Sequence, residues 1–400
     1  MSKSTDIAAL FDQYVMHTYS PTATLTSGSG CKVRDPDGKT YLDFTAGIAV
    51  HNVGHCHPKV VKAIHDQVAT LGHCSNLFYN VNQALLAQRL SKLSLNGKCF
   101  FCNSGAEANE AMIKLARLWG SEKGKYEIIT MQNSFHGRTL ATIAATGQAK
   151  VQKGFDPLPI GFTYAEFNNL ESVKAAVNER TVAVMLEAVQ GEGGVLPATE
   201  EFMVGVRKLC DEKGLLMLCD EVQCGMGRTG KWFAWQNYPV KPDAFSLAKA
   251  LADGIPMGAL VASPALSDVF KPGNHASTFG GNPVSSAAAL AVLDVMEEEA
   301  LVKRAEEAGK LFVEGLSVFV EKYKQVVEIR GKGLMVGMVM EGAAKEVVDA
   351  CRDMGLLCCV AGEHVVRFLP PLNVKDSDLE EGLEMIGDAL EQLFGETEEA

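Results

Sequence analysis

The sequence predicts an α/β protein with a large, mostly parallel sheet domain and a smaller α+β domain. Two observations support this fold class. From about residue 58 onward, short apolar runs typical of buried strands alternate with amphipathic helical segments. After about residue 296, long amphipathic helices dominate and only a few short strands remain.

The elements can be predicted in order along the chain. A hairpin is expected at 31–46, because Asp-Gly in the turn Asp35-Pro-Asp-Gly38 separates two apolar runs. Strands are predicted at 98–102, 127–131, 182–187, 215–220, 244–247 and 258–262, and helices at 58–71, 82–93, 106–119 and 201–213. The last part should hold helices near 284–299, 301–323, 343–354 and 377–394, strands near 326–340 and 365–369, and a frayed tail at 396–400.

Composition narrows the possible partners and locations. The net charge of −12 over 400 residues argues against a nucleic-acid or anionic-membrane partner. Apolar runs stay far below the roughly 20 residues that a membrane helix needs. The N-terminus has no apolar signal core and no Arg before Arg34, and the eleven cysteines fit a reducing compartment, so a cytoplasmic protein is expected. Adjacent side chains in His55-Cys56-His57 cannot easily converge on one ion, so no metal site is expected.

Two candidate sites follow predicted strands. In Asn103-Ser-Gly-Ala-Glu-Ala108, Ser104 and Glu107 have capping-box spacing, and the helix start could bind an anion such as a phosphate. An ordinary helix cap would look the same. Asp220 ends an apolar run, where a buried carboxylate needs a partner such as a protonated ring nitrogen. The alternative for Asp220 is a cap of the next turn.

Two further candidates lie at the same predicted edge of the sheet. Lys249 is a single lysine at the end of an apolar strand, and desolvation would make it a nucleophile for carbonyl carbon. It could instead reach solvent along its own stem. In Ser134-Phe-His-Gly-Arg138, Phe135 or His136 could stack on a flat ring and Arg138 could bind a carboxylate, although a solvated loop is possible. Each of these four signals is weak alone, and the prediction of a functional site rests on their order along the chain.

At this point the sequence resembles the class III, ω-type aminotransferases of fold type I, which use pyridoxal phosphate (PLP). The resemblance runs from about Tyr19 to Leu393. The segments that carry it are Gly47-Ile-Ala-Val50, Gly54-His-Cys-His-Pro58, Ser75-Asn-Leu-Phe-Tyr79, Asn103-Ser-Gly-Ala-Glu-Ala-Asn-Glu110, Phe135-His-Gly-Arg138, Gln190-Gly-Glu-Gly-Gly194, Asp220-Glu-Val-Gln-Cys-Gly-Met-Gly-Arg-Thr-Gly230 and Thr278-Phe-Gly-Gly-Asn-Pro283.

The resemblance implies roles for the cofactor-binding residues. Lys249 would form the Schiff base with PLP, and Asp220 would pair with the pyridine nitrogen. Phe135 would stack on one face of the ring, Val222 would pack on the other, and Gln223 would contact the phenolic oxygen. The implied phosphate ligands are Ser104, Gly105 and Ala106, with Thr278 from the neighbouring subunit of a homodimer.

The resemblance also implies residues for the substrate. Arg138, Arg367 and Ser277 would bind it, the two arginines through its carboxylates. Glu192 would be a switch that pairs with Arg367 when a terminal amine enters and leaves it when 2-oxoglutarate binds. Such a pair makes physical sense, because an unpaired buried arginine is costly.

Within this family, Gly47-Ile-Ala-Val50 and Ser75-Asn-Leu-Phe-Tyr79 resemble the acetylornithine group most. That implies transfer of the terminal amino group of N2-acetyl-L-ornithine to 2-oxoglutarate, giving N-acetylglutamate 5-semialdehyde and glutamate in arginine biosynthesis. Ala188 stands where the family usually has Pro, and Ala252-Asp253 where two Gly are usual. Succinylornithine, N-succinyl-diaminopimelate, ornithine or GABA therefore stay open as donors, as does a PLP aminomutase.

Two readings from other classes are less well supported. A nucleotide-binding dehydrogenase should have G-x-G-x-x-G after the first strand of a βαβ unit, but the turn at 103–108 has one Gly. A binding protein without activity would not need Lys249.

For a fold type I enzyme we expect a seven-stranded sheet. The expected division is 1–57 as an N-terminal segment joining the small domain, 58–295 as the large PLP-binding domain and 296–400 as the C-terminal small domain.

Overall fold

The computed structural model describes residues 3–395, so the predicted frayed tail at 396–400 lies outside the described residues. The helices are α1 (Lys3–Tyr14), α2 (Ala46–Ala49), α3 (Pro58–Thr70), α4 (Val81–Leu93), α5 (Gly105–Gly120), α6 (Leu140–Ala145), α7 (Ala149–Gln152), α8 (Leu170–Ala176), α9 (Glu200–Lys213), α10 (Pro283–Glu298), α11 (Leu301–Lys322), α12 (Ala344–Met354) and α13 (Asp376–Phe394). Short 3₁₀ turns cover Ser121–Lys123, Ala234–Asn237 and Lys249–Leu251. None of the described helices is long and apolar enough to cross a membrane.

The strands are β1 (Ser27–Ser29), β2 (Lys32–Arg34), β3 (Thr40–Asp43), β4 (Lys98–Cys102), β5 (Glu127–Met131), β6 (Phe162–Ala165), β7 (Thr181–Glu187), β8 (Val189–Gln190), β9 (Leu196–Pro197), β10 (Leu216–Asp220), β11 (Ala244–Leu247), β12 (Gly258–Ala262), β13 (Val326–Lys332), β14 (Met335–Met340), β15 (Leu356–Leu357), β16 (Cys359–Ala361) and β17 (Val365–Phe368). They form three sheets and one short two-stranded ribbon of β8 and β9.

The largest sheet has seven strands in the order β4-β12-β11-β10-β7-β5-β6. Only β12 runs against its neighbours β4 and β11, so the other six strands share one direction. Strands β7 and β10 are buried along their whole length, as expected for central strands covered by helices on both faces. The carboxyl ends of β4, β7, β10 and β11 therefore meet at one edge.

Two smaller four-stranded sheets lie outside this unit. The sheet β1-β2-β3-β15 joins the N-terminal hairpin to a C-terminal strand, because Leu42 and Asp43 pair in parallel with Leu356 and Leu357. The sheet β13-β14-β17-β16 is antiparallel and comes entirely from the C-terminal part. Three aromatic side chains pack edge-on between them, since Phe312 of α11 has its ring centroid 5.5 Å from both Phe44 and Phe368.

The predicted fold class and the seven-stranded sheet are confirmed. Sequence patterns did not reveal α1, whose residues are half-exposed or exposed, or β6, a short edge strand with one buried residue. Both lack a clear buried face, and such a face is what a periodic pattern reports. The short strands predicted near 326–340 are β13 and β14, which are joined by a turn where Gly333 has a positive φ of 57°.

Replacing Phe312 by Ala should lower the free energy of unfolding by about 3–5 kcal/mol, because the ring is fully buried between two others. Leu311→Ala is the matched control on the same helix, since Leu311 is 49% exposed. Urea unfolding followed by circular dichroism measures both variants. Equal midpoints for the two would show that the aromatic cluster is not a stabilising core.

Candidate active site

A cavity of about 410 Å³ opens at the edge where the parallel strands end. Ten of the residues singled out from the sequence line it: Ser104, Gly105, Ala106, Phe135, Arg138, Glu192, Asp220, Val222, Gln223 and Lys249. They come from several separate segments of the large sheet and its connections. The prediction that these motifs share one edge is confirmed.

One end of the cavity is the start of α5. Ser104 is its N-cap, and the Ser104 hydroxyl accepts the Glu107 N–H at 3.2 Å. The Glu107 carboxylate accepts the Asn103 N–H at 2.9 Å, one residue earlier than in a capping box. The first N–H groups of a helix have no acceptor within the helix, so those of Gly105 and Ala106 are left to bind an anion.

Gly105 is required by packing. A Cβ atom added there would lie 2.7 Å from Cγ1 of Val222, which is closer than side chains approach. The backbone of Gly105 therefore rests directly against Val222, and both residues line the cavity. A flat group between Val222 and the opposite wall would lie beside the anion-binding helix start.

Asp220 is the best-connected group in the site. Its Oδ2 accepts Nδ2 of Asn109 at 2.7 Å and contacts Nδ1 of His136 at 2.8 Å. Its Oδ1 accepts the Val222 N–H at 3.0 Å and the Ser246 hydroxyl at 3.4 Å. Asp220 is 3% exposed. Hydrogen bonds from four separate positions hold this carboxylate in a fixed orientation.

Glu187 ends β7 and pairs in register with Asp220 on β10. Its carboxylate accepts the Phe135 N–H at 3.2 Å and also lines the cavity. Burial, and then the nearby charge of Asp220, raise the pKa of Glu187 well above its ordinary value. The protonated form of Glu187 is therefore favoured more than it would be for an exposed glutamate.

Lys249 lies two residues beyond β11, in a left-handed conformation with φ of 46°. Within residues 3–395 its ammonium group has no hydrogen bond or ion pair. Burial, and then the charge of Arg367, lower the pKa of Lys249 to about 8. A lysine with this pKa supplies a substantial fraction of neutral amine near physiological pH, so it can attack a carbonyl carbon.

The loop after β5 supplies the opposite wall. Phe135 is half-buried, and the Arg138 guanidinium lies 5.4 Å from the centre of its ring. His136 is fully buried, and its backbone N–H donates to Thr146 at 2.9 Å. Because the His136 ring is committed to Asp220, Phe135 is the ring of this loop that is free to stack.

Arg367 comes from β17 and lies behind the cavity wall. Its Nη1 donates to Oε1 of Glu192 at 2.6 Å and to Oε1 of Gln223 at 2.9 Å. Gln223 in turn donates to Glu192 at 3.2 Å. Burial alone would raise the pKa of Glu192, but the charge and hydrogen bond of Arg367 outweigh it and lower that pKa. Glu192 and Gln223 line the cavity, whereas Arg367 is 2% exposed and covered by them.

Besides Arg367, two further predicted residues, Ser277 and Thr278, do not line this cavity. Ser277 accepts hydrogen bonds from Asn103 at 3.3 Å and from the Gly280 N–H at 3.1 Å. Thr278 is exposed. A role for Thr278 in a second subunit stays a prediction, and the described chain does not bring Ser277 to the cavity wall.

Sequence reasoning missed three groups in the site, namely the Asn109 amide, the His136 bond to Asp220 and the buried Glu187. Asn109 and Asp220 are 111 positions apart, and no local pattern links them. The signal for Glu187 was visible, since it ends an apolar run just as Asp220 does. Cys224 is buried, and burial raises the pKa of its thiol well above the ordinary value, which disfavours the thiolate form.

Comparison with known proteins agrees with this geometry. Residues 14–390 match the family model of the class-III aminotransferases. The acetylornithine aminotransferase of Caldanaerobacter subterraneus subsp. tengcongensis is 49% identical over 386 residues, covering 95% of this chain and 98% of that protein. The acetylornithine aminotransferase of Methanocaldococcus jannaschii is 48% identical, covering 93% of each.

Solved structures agree as well. An ornithine aminotransferase from Toxoplasma gondii ME49 superimposes with a TM-score of 0.94 at 30% identity, covering 98% of this chain and 96% of that one. The N-acetylornithine aminotransferase of Stenotrophomonas maltophilia K279a superimposes with a TM-score of 0.83 at 36% identity, covering 96% and 98%. With its fold, its cavity and nearly its whole length matched, this chain belongs to the class-III aminotransferases, which depend on pyridoxal phosphate.

Proposed function

We propose that this enzyme transfers the terminal amino group of N2-acetyl-L-ornithine to 2-oxoglutarate, giving N-acetylglutamate 5-semialdehyde and glutamate, a step of arginine biosynthesis. The observation that carries the proposal is the covered arginine. Arg367 is buried behind Glu192 and Gln223, beside the cavity that holds Lys249. The names of the relatives at 48–49% identity support N-acetylornithine as the donor.

The chemistry of the cavity fits PLP along its length. The N–H groups at the start of α5 suit a phosphate, and Val222, against which Gly105 packs, offers an apolar wall for a flat ring. The fixed Asp220 carboxylate suits a protonated pyridine nitrogen, and Lys249 suits an aldehyde. We infer that Ser104, Gly105 and Ala106 bind the phosphate, that Phe135 and Val222 enclose the ring, and that Gln223 reaches its phenolic oxygen.

The catalytic roles follow from these positions. PLP supplies an aldehyde that condenses with amines and a ring that delocalises the electrons left when a proton departs from the donor carbon. Lys249 Nζ would be the base positioned to take this proton from the donor carbon and to return it to the carbon that receives the amino group. Asp220 would place its carboxylate next to the ring nitrogen, and Glu187, whose pKa is raised by burial and by the charge of Asp220, lies beside it.

The switch explains how one cavity accepts two unlike substrates. A donor with a terminal amine needs no second cation, so Glu192 stays on Arg367 and neutralises it. A dicarboxylate such as 2-oxoglutarate needs a cation for its distal carboxylate, and it obtains one when Glu192 leaves. Arg138, exposed at the cavity edge, binds the other carboxylate.

A half-reaction without any oxo-acid tests the donor. The yellow holoenzyme should lose its colour rapidly with N-acetylornithine and much more slowly with ornithine, GABA, succinylornithine or N-succinyl-diaminopimelate. Stopped-flow absorbance measures each rate. Faster bleaching by another amine would contradict the donor and leave the aminotransferase chemistry intact. Full turnover without any oxo-acid would instead indicate an aminomutase.

The pKa of Lys249 predicts a pH profile for loading the cofactor. Because burial lowers this pKa from 10.5 to about 8, the neutral amine of the cofactor-free protein should appear as pH rises through about 8. Borohydride trapping of PLP, read by mass spectrometry, should increase with a midpoint near that pH and then level off. Lys249→Met should trap nothing at any pH, and label at Lys249 that still grows above pH 10 would contradict the lowered pKa.

We further propose that the enzyme is a homodimer. The segment beside Thr278 is strongly apolar and exposed: Leu77 is 84% exposed, Phe78 70% and Val81 73%. Asn76 ties this segment to the Thr278 loop by donating to Ser277 O at 2.9 Å and Gly280 O at 3.1 Å. Such a patch next to a cavity is typical of a subunit interface. In the dimer, Thr278 would complete the phosphate site of the other subunit.

Light scattering during gel filtration should give twice the chain mass of 43.0 kDa. Phe78→Asp should shift the protein to the monomer and weaken PLP binding, because a charge at the interface is costly and Thr278 is then lost. Val318→Asp, at a residue of α11 that is 59% exposed, is the control and should leave both unchanged. A fully active monomer would contradict this proposal.

The division into segments 1–57, 58–295 and 296–400, and a cytoplasmic location, stay predictions. The pairing of β3 with β15 links residues 42–43 to residues 356–357. This supports a small domain that is formed by both the N-terminal and the C-terminal segments.

A further inference from the structure

Arg367 has two edges that meet different partners. Its Nη1 faces Glu192 and Gln223, which line the cavity. On the opposite edge, Nε donates to Sγ of Cys359 at 3.4 Å, and Nη2 donates to the carbonyl of Val360 at 3.5 Å. The first edge meets an anion that can leave, whereas the second meets strand β16.

The contact with Cys359 is built into the sheet. Cys359 of β16 pairs in register with Arg367 of β17, so their side chains leave the sheet on the same face. The thiol also lies 3.9 Å from the carbonyl oxygen of Arg367. Because both residues belong to the same pair of strands, the position of Sγ does not depend on whether Glu192 is in place.

The chemical type of the partner matters here. A carboxylate at position 359 would compete with any incoming carboxylate for the charge of Arg367. An apolar side chain would leave a buried N–H without an acceptor, which is costly. A thiol accepts a weak hydrogen bond and leaves the positive charge available.

We propose that Cys359 is a positioning residue that holds the Nε edge of Arg367, so that the Nη1 edge stays aimed at the cavity when Glu192 gives way to the distal carboxylate of a dicarboxylate. This inference rests on the proposed function and adds a residue to it. While Glu192 is paired, Arg367 is fixed from both edges. Once Glu192 has left, Gln223 is the remaining partner on the Nη1 edge. The contacts with β16 still hold the Nε edge.

The test uses the PLP-loaded dimeric enzyme and glutarate, a five-carbon dicarboxylate that cannot react. Cys359→Ala should raise the Kd for glutarate about fivefold, as expected for the loss of one weak hydrogen bond. The KM for 2-oxoglutarate should rise equally, while kcat and the half-reaction with N-acetylornithine stay within about twofold. Calorimetry and stopped-flow absorbance measure these quantities.

Two variants separate positioning from packing. Cys359→Ser keeps an acceptor and should recover most of the glutarate affinity. Cys358→Ala removes a neighbouring buried thiol and should leave both the KM for 2-oxoglutarate and the half-reaction with N-acetylornithine unchanged. Three outcomes would overturn the role of Cys359. Cys359→Ala could slow both half-reactions to the same degree, or it could affect neither of them. The third is a Cys359→Ser variant that does not recover glutarate affinity. A wild-type enzyme that does not bind glutarate would overturn the proposed acceptor itself, and slow bleaching by N-acetylornithine in the wild type would overturn only the donor.

Discussion

The burial of one carboxylate, that of Asp220, organises the whole site. It is held by the amide of Asn109 on α5, the ring of His136 in the loop after β5, the hydroxyl of Ser246 on β11 and the backbone of Val222. A carboxylate with this little exposure is tolerated only when it is fully hydrogen-bonded. The same bonds therefore fix the helix start, the stacking loop and the floor of the cavity relative to one another.

A second buried charge, that of Arg367, underlies the proposed substrate range. Arg367 is almost completely covered, and an arginine there needs a counter-charge in every state of the enzyme. Glu192 provides one in this structure, and in the proposed reaction a substrate carboxylate would replace it. Both states keep the arginine neutralised, so the exchange between them need not expose an unpaired buried charge. Gln223 is hydrogen-bonded to both Glu192 and Arg367, and it lines the cavity.

The two carboxyl groups at the ends of β7 and β10, those of Glu187 and Asp220, lie in different hydrogen-bonding environments. Glu187 and Asp220 are neighbours in register, but they receive different hydrogen bonds. Asp220 has hydrogen-bond partners at four positions. Glu187 is buried, and burial together with the charge of Asp220 raises its pKa.

The sequence by itself determined the succession along the chain of most strands and helices of the large domain, the cap at Ser104 and the positions of Asp220 and Lys249 near strand ends. These features depend on local signals: apolar periodicity, cap spacing and a charged residue that ends an apolar run. The roles first attached to them came from resemblance to a family, because each motif alone also fitted a structural explanation.

Only the tertiary structure decided which groups meet. Glu192 and Arg367 are 175 positions apart, and Asn109 and Asp220 are 111 apart. Their contacts depend on strand order and on register, in which a slip of one residue would turn every side chain to the other face. The same holds for Cys359, whose contact with Arg367 depends on the pairing of β16 with β17. Local patterns encode the elements, whereas the charges that meet between elements are set by packing over long distances in the chain.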